Sequence, residues 1–102
     1  MAARVYILRC ADDRLYFGST TDLIRRLAEH RRGHVRTTAR RLPLTRRSRV
    51  KGLPVRLLYF EEHATPDQAR QREHQFKNGH TRRKTIELLI ADFPAQRLAP
   101  FA

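Results

Sequence analysis

The apolar positions of this chain fall into short continuous blocks and longer spaced runs, and the two spacings predict different elements. Arg4 to Cys10 and Leu15 to Ser19 are short and rich in β-branched and aromatic side chains, as half-buried strands are. Between them lies Ala11-Asp12-Asp13-Arg14, a turn-forming cluster, so the pair reads as a hairpin. Tyr6, Leu8, Tyr16 and Gly18 share even parity, and pairing puts both tyrosines on one face only if the loop has an odd residue count or a bulge. Pro54 to Phe60 is nearly continuous in apolar character, which predicts a third strand in the middle of the sheet.

The spaced runs predict helices. Ser19-Thr20-Thr21-Asp22 supplies caps for a helix from about Asp22 to Arg32, with Leu23, Ile24, Leu27 and Ala28 as its apolar stripe and Gly33 as its stop. Arg26 and His30 are four residues apart and fall along one edge of that stripe. Thr65-Pro66-Asp67-Gln68 carries the parts of a capping box, so a second helix starts near Pro66. Ala69, Glu73 and Phe76 share its inward face, where a carboxylate is costly unless a cation compensates it. A partly buried Glu–Arg pair is the structural alternative to a metal at that position. Ile86, Leu89, Ile90 and Phe93, preceded by Thr81, describe a third amphipathic helix ended by Pro94. The predicted class is therefore α/β (α+β), a small three-stranded antiparallel sheet flanked by about three helices. Residues 1–94 form one domain; residues 95–102 form a loosely held C-terminal tail in which Leu98 and Phe101 could dock.

Charge sharpens this picture. The chain of 102 residues carries a formal net charge of +12, and from Arg31 through Phe60 there is no Asp or Glu but ten Arg or Lys. Most of that stretch is a long basic loop, about residues 34–52, without helical periodicity. Such a field captures polyanions with an affinity that falls as salt rises. The expected partner is nucleic acid, met through the phosphates by Arg25, Arg36, Arg40, Arg41, Arg46, Arg47, Arg49 and Lys51. A membrane surface would also attract this charge, but the stretch lacks an amphipathic helix with bulky apolar anchors. The excess of Arg over Lys, 19 to 3, has codon usage as its simplest explanation.

Other chemistries find little support. Cys10 is the only cysteine, so no intramolecular disulfide and no Cys-based zinc site can form, and a cytoplasmic setting is expected. No stretch approaches the roughly 18 apolar residues of a membrane span. The glycines form no phosphate-binding motif, the histidines lack metalloprotease spacing, and no serine stands in a nucleophile elbow.

Taken together, the motifs resemble the GIY-YIG nuclease superfamily, particularly its small stand-alone bacterial members, over about Val5 to Ile90. Arg4-Val5-Tyr6 stands where the first signature triplet belongs and Tyr16-Phe17-Gly18 where the second belongs, followed at the family's spacing by Arg26 and His30. Glu73 occupies the place of the family's helix glutamate. Arg4, Val5 and Phe17 depart from the signature, and the family's late asparagine has no match after Thr81.

The resemblance implies a GIY-YIG-like fold and a divalent-metal-dependent endonuclease. It would hydrolyse phosphodiester bonds in nucleic acid, DNA by preference, in repair or recombination. Mg²⁺ or Mn²⁺ would be held chiefly by Glu73, consistent with magnesium's acceptance of one carboxylate plus waters. Tyr6 would activate or position the attacking water, Tyr16 and His30 would assist proton transfer, Arg26 would stabilise the phosphate, and Gly18 would allow close approach. A tyrosine whose pKa is about 10 needs cationic neighbours to act as a base at neutral pH, and Arg26 is the candidate. The alternative is a non-catalytic nucleic-acid-binding protein that keeps the nuclease fold.

Overall fold

The computed structural model describes residues 1–40 and 55–101. Three antiparallel strands, β1 (Ala3–Arg9), β2 (Leu15–Thr20) and β3 (Arg56–His63), form one sheet in the order β2-β1-β3. Val5, Tyr6, Ile7 and Leu8 of the central strand are fully buried, because both sheet faces are covered. β3 is therefore an edge strand, not the middle one its composition suggested. Its apolar run has another cause. A bulge between the pairs Ile7↔Tyr59 and Leu8↔Leu57 lets Leu57 and Phe60 share the face of Tyr6 and Leu8, while Tyr59 sits on the other.

In the β1–β2 hairpin Arg9 pairs with Leu15, so the loop is Cys10–Arg14, an odd count, and Leu8 lies opposite Tyr16. Both tyrosines consequently share a face. Asp13 takes a left-handed φ of 67° in that loop, a conformation a short polar side chain tolerates.

The Tyr6 face is covered by α1 (Leu23–Arg31), capped by the Asp22 carboxylate on the Arg25 N–H. Leu23, Leu27 and His30 are its buried residues, whereas Ile24, expected in the stripe, is 66% exposed. The inward line follows positions 23, 27 and 30, and Ile24 lies one step off it. Gly33, at φ 79°, ends the helix. The His34 N–H bonds Glu29 O and the Gly33 N–H bonds His30 O, the paired bonds of a Schellman motif. That reversal leads into α2 (Arg36–Ala39), a single turn inside the stretch read as loop.

The opposite face is covered by α3 (Pro66–Lys77) and α4 (Arg83–Asp92). Thr65 caps α3 by accepting from the Gln68 N–H, and the Gln68 side chain returns a bond to the Ala64 N–H. Ala69, Phe76 and Ile86 pack there against Val5 and Ile7, with Phe17 stacked on Phe76 at 5.4 Å. The C-terminal residues are docked, not loose: α5 (Ala95–Leu98) and a 3₁₀ turn (Ala99–Phe101) bring Phe101 to 5.2 Å from Phe60. Arg97 covers Phe60 and Phe93, and Arg31 donates to Phe101 O at 2.6 Å. Among the described residues no helix is long and apolar enough to cross a membrane.

Candidate active site

The sheet edge formed by β2 is where the predicted residues meet. Tyr6 projects from the central strand toward α1 and is fully buried, with its hydroxyl 2.9 Å from Nε2 of His30. Tyr16, one strand further out, places its ring 6.2 Å from Tyr6 and 4.8 Å from the His30 ring, edge to face in the latter case. Gly18 lies directly opposite Tyr6. A Cβ at Gly18 would sit 2.5 Å from both Cζ and Oη of Tyr6 and 3.0 Å from Cε1 of Tyr16. The pairing of β1 with β2 is in continuous register there, so the glycine makes room for the tyrosines and does not mark a bulge.

Arg26 stands one turn before His30 on α1, with Nη1 3.6 Å from Oε2 of Glu29. Its influence reaches both phenols. Burial acts to lower the Arg26 pKa, yet hydrogen bonding and charge from Tyr6, then Tyr16, lift it above the ordinary value. For Tyr6 the balance is the reverse of the expectation: burial and then Tyr16 push the phenol well above 10, and the opposing help of Arg26 is smaller. Tyr6 is thus a neutral phenol at neutral pH, not a standing phenolate. His30 is pushed down to about 4 by burial and then by the Arg26 charge, so its imidazole is neutral at neutral pH, with an unprotonated nitrogen that can accept a hydrogen bond.

Glu73 reaches the same edge from the other side of the sheet, on α3. Its Oε1 accepts from the Ser19 hydroxyl at 2.7 Å and its Oε2 lies 2.6 Å from the Lys77 ammonium. The compensating cation is therefore Lys77, one turn on, and not an arginine. Lys77 also lies 5.9 Å above the Tyr16 ring, which links the carboxylate to the tyrosine side of the site. One half-buried carboxylate beside a hydroxyl is a set of hard oxygen donors that suits a water-rich magnesium or manganese ion. Among the described residues no group of three or more His, Cys, Asp or Glu is placed to hold a metal.

Next to these groups a cleft of about 470 Å³ opens between α1 and α3, lined by Ser19, Asp22, Arg25, Arg26, Glu29 and Arg70 among others. Arg25 is exposed and shares Glu29 with Arg26, at 3.8 Å. Arg36 and Arg40 are exposed on and after α2. Arg41, Arg46, Arg47, Arg49 and Lys51 lie outside the described residues.

Sequence reasoning missed Ser19, Lys77, Glu29 and Thr38, whose hydroxyl lies 3.0 Å from Nδ1 of His30. The i,i+4 spacing of Glu73 and Lys77 was a usable signal, as was the three-residue spacing of Arg26 and Glu29. Nothing in the spacing of Thr38 pointed to His30, because their contact depends on the turn at Gly33.

The family model of the GIY-YIG catalytic domain matches residues 3–86, a span containing all five predicted catalytic positions. A UPF0213 protein of Pediococcus pentosaceus is 40% identical over 86 residues, covering 82% of this chain and 77% of its own. Another, from Natronomonas pharaonis, is 38% identical over 88 residues, covering 86% of this chain and 89% of its own. A UPF0213 protein from Bacillus halodurans, solved by solution NMR, is 31% identical, with 89% of this chain and 84% of that one covered and a TM-score of 0.49. The chain belongs to the GIY-YIG family, alongside its small UPF0213 members.

Proposed function

We propose that this protein is a divalent-metal-dependent endonuclease that hydrolyses phosphodiester bonds in nucleic acid, with DNA as its substrate. The observation that carries this reading is the convergence of Tyr6, Tyr16, Arg26, His30 and Glu73 on one sheet edge beside a cleft with three arginines. Magnesium or manganese held at Glu73 would supply positive charge to the phosphate oxygens. Ser19 and Lys77 keep that carboxylate facing the β2 edge.

The rest of the chemistry belongs to the chain. Arg26 offers a guanidinium fork to the phosphate and to charge developing on it. Tyr6 works with His30 and not alone: as the attacking water gives a proton to the Tyr6 oxygen, Tyr6 passes its own to Nε2 of His30, 2.9 Å away. The water oxygen then forms the new bond to phosphorus, the bond to the leaving oxygen breaks, and solvent protonates the leaving group. Tyr16 closes the pocket over the imidazole.

One observation favours a second reading, a nucleic-acid-binding protein without turnover: the Lys77 ammonium already neutralises Glu73. Cleavage of labelled single-stranded, duplex, flap and branched DNA with Mg²⁺ or Mn²⁺ separates the two. The nuclease reading expects products from the wild type and none from Glu73→Ala, with binding retained. Binding without cleavage on every substrate, or unchanged cleavage in Glu73→Ala, overturns it.

A further inference from the structure

We propose that Thr38 is a positioning residue that sets the tautomer of His30, holding the imidazole proton on Nδ1 and leaving Nε2 as the acceptor that faces Tyr6. His30 and Thr38 are buried polar side chains, at 0% and 1% exposure. Every proton in such a place needs an assigned partner.

The hydroxyl of Thr38 has one proton, and its oxygen lies 3.1 Å from Val35 O and 3.0 Å from Nδ1 of His30. A backbone carbonyl can only accept. Val35 O accepts the Ala39 N–H at 2.9 Å and has a second lone pair for the Thr38 proton; with the proton placed there, the bond to the imidazole runs from Nδ1–H to the Thr38 oxygen. With burial and the neighbouring Arg26 keeping the ring neutral, Nε2 carries no proton and accepts from the Tyr6 hydroxyl. The donors run in one direction, from Tyr6 to His30 to Thr38 to the carbonyl of Val35. That polarity commits the Tyr6 proton to His30, so the Tyr6 oxygen, which also accepts from Arg26, acts toward its surroundings as an acceptor with a remaining lone pair for a proton from outside the chain.

The opposite tautomer breaks this arrangement. A proton on Nε2 would make His30 a donor toward Tyr6 and unable to take its proton, and Nδ1 would face a hydroxyl already committed to Val35. The fold explains why Thr38 is available: the turn at Gly33 folds α2 back under α1, and the bond from Thr38 to Val35 O spans that single turn. Partners of this kind that orient a histidine cost roughly 10- to 100-fold in function when removed from metal sites, and the same logic applies to a histidine used as a base.

The consequence for cleavage rests on the nuclease reading; the tautomer itself does not. Imidazole ¹⁵N spectra of the full chain, with His30 assigned by loss of its signals in His30→Gln, read the tautomer directly. The expected wild-type spectrum shows Nδ1 protonated and Nε2 bare; a proton on Nε2 overturns the proposal, whether or not any variant folds. Thr38→Val keeps the shape and removes the hydroxyl. It is expected to move the proton toward Nε2 and to lower kcat roughly 10- to 100-fold with little change in KM, and Thr38→Ser is expected to restore both. An unmoved tautomer in Thr38→Val, or a moved tautomer with unaltered kcat in an active enzyme, overturns the positioning role. A protein without cleavage activity but with the expected spectra would sink the nuclease reading and leave the tautomer assignment standing.

Discussion

At the scale of single residues, the site depends on one missing side chain and one uncharged ring. Gly18→Ala places a methyl group 2.5 Å from the Tyr6 hydroxyl, and Tyr6 is fixed in the central strand and cannot withdraw. Overpacking of this kind costs about 1–3 kcal/mol. Denaturant titration should show that loss, and in an active enzyme kcat should fall with it, because the bond from Tyr6 to His30 cannot keep its length. His30 supplies a second expectation. Its pKa falls from 6.5 in the unfolded chain to about 4 in the fold, so between those values the unfolded state binds more protons and stability declines as pH falls. The loss begins near pH 6.5 and levels off below about pH 4, for a total of about 3 kcal/mol. Urea midpoints measured across that window should follow this slope, and His30→Gln should remove most of it.

Among the elements, α1 and α2 act as one device whose hinge is Gly33. A non-glycine residue in the left-handed conformation costs roughly 1–2 kcal/mol, so Gly33→Ala should be destabilised by about that much in thermal melts. It should also loosen Thr38 from His30, visible as a changed His30 ring signal. Most elements were legible before the structure because local rules determine them: the caps at Asp22 and Thr65, the stop at Gly33, the parity of Tyr6 and Tyr16. What could not be read is what tertiary packing decides. β3 has the apolar density of a central strand because a bulge feeds both of its faces into covered layers, although it lies at an edge. Ile24 belongs to a plausible stripe by spacing alone, yet the sheet meets α1 along Leu23, Leu27 and His30. The partners of Glu73 show the same division: Lys77 follows from helical spacing, and Ser19 follows only from where α3 crosses β2.

Over the whole molecule, a net charge of +12 raises the question of which cations bind and which act. Arg25 and Arg70 line the cleft from opposite helices and are exposed, held by Glu29 and Asp67 respectively. Exposed pairs like these contribute little to stability, so either arginine can exchange its carboxylate for a phosphate at small cost. Arg26 is half-buried and tied to the tyrosines, which makes its charge sensitive to events at the reacting phosphate. The two kinds of arginine should therefore separate in experiment. Removing one arginine that neutralises a phosphate lowers the steepness of log K against log salt by about one, so the double variant Arg25→Ala, Arg70→Ala should bind DNA more weakly with a slope reduced by about two. Its kcat at saturating DNA should change little. Arg26→Ala should do the opposite, lowering kcat by one or more orders of magnitude, as loss of transition-state charge stabilisation does, with a salt slope close to that of the wild type. If Arg26→Ala altered only affinity, its charge would belong with the capture surface, and the stabilising role would pass from the guanidinium to the ion held at Glu73.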